Sequence, residues 1–524
     1  MENAAPTEDV AAIAKVENVE EKEEEMQAGA TEEKVEEEEE DEDDSPNKHI
    51  LAHKTAIVKV FATTQAWDHD CPWQALSIQT ASGSGVVIAG GRILTVAHVV
   101  ANQTFCQIQR CGIPDKHQAK VLFVSHECDL ALLEPEDPSL FADITPLEMG
   151  ELPDLRDQVY VCGFPVGGDE ISISEGVVSR IEIQVLLPRT VLVCGGPCIK
   201  DGKIVGLAFQ GMDNIDNVGE VVPTLVIHHF LEGVRRAQED GVKYQGFPAL
   251  GVVIQGILNP LLRQSLGMQG KESGVLVTKV MYGNSAYGHI EAGDVILEID
   301  GVKVFNNGTV SLKINPTSKH KYRTWYGILL HSRHVGDEIS LLVRRKSAGY
   351  ALQSVKFPLL PLTMLVPTPT YDVPPSYFLY CGLLFQPLSK DYLTTWSNWR
   401  KNAPKEYVHF YECGIPEKDR TQVVVLTKIL ADRINVGYDD DGAYTNSSVT
   451  SCNGVPIRNL QHLVDEIITL VTSENGVVVL PAPKHKTAEE AKERILRVYK
   501  IQQDRSADLL AAPPSSPPPS SPQA

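Results

Sequence analysis

Ile93-Leu94-Thr95-Val96-Ala97-His98-Val99-Val100 is the stretch on which the reading of this chain turns. One ionisable side chain interrupts an otherwise apolar run. Two later stretches read as its partners: Glu127-Cys128-Asp129-Leu130-Ala131-Leu132-Leu133, and Leu192-Val193-Cys194-Gly195-Gly196-Pro197. In chain order they supply a histidine, an aspartate and a thiol just ahead of paired glycines. A lone histidine among apolar residues is commonly a core residue. With Asp129 thirty-one positions on, His98 becomes one half of a candidate imidazole–carboxylate pair. Cys194 is a possible nucleophile. A thiolate held by a neighbouring imidazole attacks carbonyls competently, and the bland alternative is a small buried thiol.

Composition bounds what surrounds these stretches. At 524 residues, 43% of them hydrophobic, the chain has material for roughly three domains with real cores. Its formal charge of -22 is unevenly placed: residues 1–44 hold 20 acids against 3 lysines, a net of -17, which leaves -5 for the rest. The body is near neutral, with no basic patch to recommend nucleic acid as a ligand. The 10 cysteines show no CxxC pairs and no histidine spacing suited to zinc, so neither a metal nor a cofactor is called for. No secretory signal opens the chain and no apolar run reaches the roughly 18 residues of a membrane span. A soluble intracellular protein with free thiols is expected. An acidic arm is unlike an organellar transit peptide, so nucleus or cytosol is preferred over chloroplast or mitochondrion.

Along the chain, residues 1–48 repel one another and offer little to bury, which predicts disorder. From 49 to 240 short strand-like runs recur at roughly ten-residue spacing, among them Ala56–Phe61, Gly85–Ile88, Gln118–Val124, Val159–Cys162 and Lys203–Phe209, with turn signals such as Gly90-Gly91 between them. Two six-stranded β-barrels fit that length. Thr224 to Asp240 then reads as a helix with Val226, Phe230, Leu231 and Val234 on one face. A second unit covers 246–347, where Gly293-Asp294-Val295-Ile296-Leu297 leads through Ile299 to the turn pair Asp300-Gly301. A third, 374–500, echoes it with Val449-Thr450-Ser451-Cys452-Asn453-Gly454. Residues 506–524 are rich in Ala, Pro and Ser and are expected to be disordered.

Taken together these motifs resemble the Deg/HtrA (protease Do-like) serine proteases over about residues 50 to 500. Thr95-Val96-Ala97-His98-Val99-Val100 is similar to their T-x-A-H-V-V stretch, and Asp129-Leu130-Ala131-Leu132-Leu133 to their D-L-A-L-L stretch. Gly163-Phe164-Pro165-Val166-Gly167-Gly168 and Gly176-Val177-Val178-Ser179 fit two further stretches. Leu250-Gly251-Val252 and Ala292-Gly293-Asp294-Val295-Ile296 resemble a PDZ domain. The likeness is greatest to the plant type, with one recognisable PDZ domain and a second, divergent one. It implies a mainly β protein: a chymotrypsin-like double β-barrel followed by both. It also implies ATP-independent cleavage of unfolded or damaged proteins by a triad of His98, Asp129 and position 194, and trimer-based homo-oligomers. Leu250, Gly251 and Val252 would receive peptide C-termini.

The nucleophile segment departs from the family, which shows Gly-Asn-Ser-Gly-Gly-Pro where this chain shows Leu192-Val193-Cys194-Gly195-Gly196-Pro197. The oxyanion hole would use the N–H groups at Leu192 and Cys194, and a branched side chain at 192 restricts a backbone that glycine leaves free. The approach is short as well, with roughly a dozen family residues absent between Ser179 and Cys194. Two functions follow. One is an endopeptidase using Cys194 in place of serine. The other is an inactive relative that binds, caps or co-assembles with active proteases. A skipped coding segment is a third account of the same departure.

Overall fold

The computed structural model describes residues 53–165, 168, 170–181, 196–211, 219–313, 321–438, 444–466, 469–472 and 476–510. The acidic arm expected at 1–48, residues 511–524 of the expected tail, and Leu192 to Gly195 lie outside them.

Alternating apolar residues build the first barrel. Strands β1 (Ile57–Thr64), β2 (Gln79–Ile88), β3 (Arg92–Thr95), β4 (Gln103–Arg110), β5 (Lys116–Ser125) and β6 (Leu130–Pro135) close in the order β1-β2-β3-β6-β5-β4. Val58, Val60, Val86, Ile93, Leu94, Ile108, Leu132 and Leu133 are buried in its core. The second sheet contains β7 (Gln158–Gly163), β8 (Ser172–Val177), β9 (Pro197–Lys200), β10 (Lys203–Gly211) and β11 (Gly219–Pro223), ordered β11-β10-β9-β7-β8. The expectation of two six-stranded barrels thus meets a closed six-stranded barrel and, among the described residues, a five-stranded sheet. The stretch 182–195, where a further strand would fall, is outside them. Cys162, Ile199, Ile204 and Leu207 of the second sheet join the core of the first barrel.

Ser84 locks the two sheets together. Its buried hydroxyl accepts the Phe164 N–H at 2.7 Å, and its carbonyl accepts the Thr95 hydroxyl at 2.7 Å. Ser84→Ala leaves a buried N–H without its acceptor, a loss of about 1–3 kcal/mol. Urea unfolding should show a lower midpoint with an unchanged m-value.

The helix Thr224–Asp240 has the predicted bounds and lays Ile227, Phe230 and Val234 against the barrel core. The first PDZ unit follows, its strands ordered Val252–Gly256, Val275–Val280, Val295–Ile299, Glu338–Arg345, Ala351–Pro358. It runs past the expected end at 347, because Ala351–Pro358 pairs with Glu338–Arg345 along its full length. The second PDZ unit orders Phe378–Tyr380, Leu383–Pro387, Val424–Ile429, Ser447–Cys452, Thr469–Thr472 and Val477–Val479. Asp300-Gly301 (φ 47° and 76°) and Asn453-Gly454 (φ 50° and 78°) make equivalent tight turns in the two units. Two positive φ values in a row are why each turn ends in glycine.

The second unit is also longer than 374–500. Leu365 and Val366 are buried in it with Leu388 and Tyr392. At its far end Ser506, expected in the disordered tail, is ordered. Its N–H donates to the Tyr377 carbonyl at 3.0 Å, its hydroxyl accepts the Tyr377 N–H at 3.0 Å, and Leu509 packs on the unit's core. Backbone pairing decides this edge, and a Ser/Pro-rich composition does not announce it.

Three histidines form the joint between the helix that leaves the barrel domain and the first PDZ unit. His229 on Thr224–Asp240 stacks between Phe247 and His334 at ring separations of 4.2 and 4.0 Å, and Phe247 meets His331 edge-on. His229 Nε2–H donates to the Arg333 carbonyl at 2.7 Å, which sets the tautomer of the neutral ring. Arg236, bonded to Asp337 at 2.9 Å and to Glu232 at 3.0 Å, borders the stack. Burial pushes His229 down from 6.5 to about 4, and it also lowers His331 and His334. The joint is therefore fully stable above pH 6.5. Below that the undocked ring takes a proton that the docked ring refuses, so stability falls as pH drops toward 4. At pH 5.5 the loss from His229 should be roughly 1 kcal/mol. Protection factors in hydrogen exchange, which divide out the slower intrinsic rate at lower pH, should fall at 224–240 and 327–337 between pH 7 and 5.5, and His229→Phe should blunt the change.

Candidate active site

His98 and Asp129 are brought together by apolar anchoring on both sides of each. In the short helix Ala97–Val100 and its cap Val96, the residues Val96, Ala97, Val99 and Val100 are all buried, and His98 alone turns outward with its side chain 36% exposed. Cys128, Leu130 and Ala131 are likewise buried around Asp129. Asp129 adopts φ 53°, in the left-handed region that an Asp tolerates and most residues avoid. That twist aims its carboxylate at the histidine. Asp129 Oδ1 accepts the His98 backbone N–H at 2.8 Å, and Oδ2 accepts Nδ1–H at 2.7 Å. The Asp129 carbonyl accepts the Ala97 N–H at 3.1 Å. Since a carboxylate only accepts, the Nδ1 proton is fixed and Nε2 becomes the basic atom of the ring.

Of the other predicted positions, Leu192 and Cys194 lie outside the described residues. The neighbouring Gly196 is described: a Cβ there would sit 1.9 Å from the Cys162 carbonyl oxygen, so only glycine fits. The cysteines described near the pair are unsuited to attack. Burial pushes Cys128 and Cys198 up to about 12 and Cys162 up to about 11, so each stays a thiol. Among the described residues no group of three His, Cys, Asp or Glu side chains could hold a metal.

The predicted peptide-binding residues lie together in the first PDZ unit. Leu250 is 2% exposed and its carbonyl accepts the Ala286 N–H; the Gly251 carbonyl accepts the Met281 N–H. Gly251 has φ 70° and passes so close to Asn284 that a Cβ would collide with it. Val252 opens the strand Val252–Gly256, the outermost of its sheet. An edge strand after a tight glycine turn is a form that can accept an added peptide strand.

Motif reading missed four residues around the pair: Asn102, His126, Glu127 and Asp372. Glu127 Oε2 accepts the Phe247 N–H at 2.9 Å, and burial raises its pKa while that N–H lowers it. His126 Nε2 lies 2.7 Å from Asp372 Oδ2, and Asn102 also contacts Asp372. No spacing rule links positions 246 to 270 residues apart, and the only available signal was that His126 and Glu127 directly precede the aspartate motif.

Residues 83–207 match the trypsin-like peptidase domain model, and 257–317 and 366–508 match PDZ domain models. Protease Do-like 2, chloroplastic, of Arabidopsis thaliana is 34% identical, over 88% of this chain and 76% of its own. Protease Do-like 4, mitochondrial, of the same plant is 34% identical, over 85% of this chain and 84% of its own. Among solved structures, the HtrA-type protease AlgW with a decapeptide aligns with TM-score 0.44 and 18% identity, covering 60% of this chain and 98% of that one.

Proposed function

Because the chain belongs to the Deg/HtrA (protease Do-like) family, we propose that it is an endopeptidase for unfolded or damaged proteins, with His98 as general base, Asp129 as its orienting carboxylate and Cys194 as nucleophile. The observation that carries this is the two-point contact of Asp129 with His98, at 2.8 and 2.7 Å, from a left-handed backbone. A strained conformation of this kind costs on the order of 1–3 kcal/mol and persists where the surroundings demand it. In this reaction Nε2 of His98 takes the Cys194 thiol proton as Sγ attacks the scissile carbonyl carbon. The resulting oxyanion is met by the N–H groups at 192 and 194. His98 then gives its proton to the leaving amine nitrogen, and the C–N bond breaks to leave a thioester. Water, deprotonated by His98, releases the acid and the free thiol. The edge strand Val252–Gly256 takes up extended segments or C-termini, the chain assembles as trimer-based oligomers or with related proteases, and it works in the nucleus or cytosol.

One observation favours a second reading. Leu192-Val193-Cys194 replaces the family's Gly-Asn-Ser, which suits a relative that binds and co-assembles without cleaving. Casein degradation by the purified chain, by Cys194→Ala and by His98→Ala separates the two. Cleavage lost in both variants supports the endopeptidase. No cleavage by any form of a folded oligomer leaves the binding protein.

A further inference from the structure

Asp372 lies near the start of the second PDZ unit, yet it contacts the two turns that carry His98 and Asp129. Asn102 closes the turn just after the His98 helix, and His126 stands three residues before Asp129. Asp372 Oδ1 accepts the Asn102 N–H at 2.6 Å, while the Asp372 N–H donates to Asn102 Oδ1 at 2.9 Å. Asp372 Oδ2 meets His126 Nε2 at 2.7 Å. Tyr371 lies over the His126 ring with centroids 4.4 Å apart. Burial first, then the Asp391 and Asp129 carboxylates, raises the Tyr371 pKa, which places that phenol within the field of the catalytic-site aspartate.

Both partners in the reciprocal exchange are strained. Asn102 has φ 54° and Asp372 φ 64°. Each holds the left-handed form while its side-chain oxygen caps the other's N–H. Two such residues facing each other make a clasp of fixed geometry, since relaxing either one breaks both bonds. The clasp is anchored behind. The Thr370 N–H donates to Asp391 Oδ2 at 2.9 Å, and the Lys390 N–H donates to the Pro367 carbonyl, which fastens the strap to the start of the helix Lys390–Leu393. The loop between β1 and β2 docks on the same unit, with Gln386 reaching the His69 carbonyl at 3.2 Å and Trp73 packing edge-on to Tyr377. Glu127 is meanwhile held by Phe247 of the linker to the first PDZ unit. The turn His126-Glu127-Cys128-Asp129 is thus gripped from both C-terminal units.

We propose that Asp372 is a positioning residue for the His98–Asp129 pair: through its reciprocal hydrogen bonds with Asn102 and its bond to His126, the second PDZ unit holds the two catalytic turns in register. The kinetic consequence rests on the endopeptidase reading; the geometric claim does not. Asp372→Asn keeps an oxygen for the Asn102 N–H and removes only the charge facing His126. Asp372→Ala removes the side-chain half of the clasp.

The test uses the full chain labelled with 15N-histidine and follows the downfield His98 Nδ1–H resonance, whose solvent exchange reports how tightly Asp129 holds the ring. Tryptophan fluorescence, to which Trp396 and Trp399 of the second PDZ unit contribute, checks that the unit is folded. Asp372→Ala should speed exchange about tenfold, the equivalent of one or two lost hydrogen bonds, and Asp372→Asn should restore most of the protection. Exchange in Asp372→Ala within about twofold of the parent would overturn the proposal, and so would Asp372→Asn falling as far as Asp372→Ala. If the parent cleaves casein, Asp372→Ala should lower kcat and leave KM near its parent value. If the parent cleaves nothing, the endopeptidase reading fails and the resonance alone still decides the role of Asp372.

Discussion

Asp129→Asn should slow casein cleavage by about 10⁴-fold while leaving the fold intact. The geometry explains why the effect is large for one atom. Asp129 presents one oxygen to the His98 backbone N–H and the other to Nδ1–H. In the amide variant the side-chain oxygen can keep the backbone bond, so the turn holds and the thermal midpoint should change little. The amide nitrogen then faces Nδ1 as a donor. The ring must answer with a lone pair there, which moves its proton to Nε2. A protonated, neutral Nε2 cannot take the proton of an attacking thiol. Loss of cleavage with an unchanged melting curve supports the base role. Unchanged cleavage would remove His98 and Asp129 from the reaction, because a ring carrying its proton on Nε2 has no basic atom to turn toward the thiol.

Much of this site was legible because its signals are local. His98 and Asp129 each sit inside an apolar run whose burial leaves one direction for the polar side chain, and the runs themselves, β3 and β6, pair with each other as Thr95↔Ala131 and Leu94↔Leu132. Two adjacent strands therefore deliver the two residues with no long-range information needed. The helix Thr224–Asp240 was legible for the same reason, as was the turn at Asp300-Gly301. What escaped reading is non-local. The clasp at Asp372 joins turns far apart in sequence, and neither partner belongs to a periodic pattern. The ends of the PDZ units escaped as well. Ala351–Pro358 is mostly exposed, with no clean alternation, and Ser506 is ordered by backbone pairing to Tyr377. Side-chain composition carries little information about either kind of contact.

Leu192→Gly should raise the cleavage rate by about 10² to 10³, the amount that one oxyanion donor contributes. The expectation starts from the base pair: with His98 and Asp129 in bonded geometry, proton transfer is not the weak part of the proposed reaction. The weak part is the stabilisation of developing charge. The family places glycine two positions before the nucleophile, where a backbone N–H has to turn toward the oxyanion, and glycine reaches positive φ without the steric cost a branched residue carries. Leu192 opposes that turn. Downstream a requirement for glycine is visible directly, since Gly196 lies against the Cys162 carbonyl where no side chain fits. A gain in kcat with KM nearly unchanged is the expected signature, because the oxyanion exists only in the transition state and the intermediate it leads to. Pairing Leu192→Gly with Cys194→Ser tests the same logic with the family's own nucleophile. If neither variant gains cleavage while His98 keeps its downfield Nδ1 proton, the base pair is sound and the shortened approach before Cys194 is what separates this chain from proteolysis, which selects the binding protein.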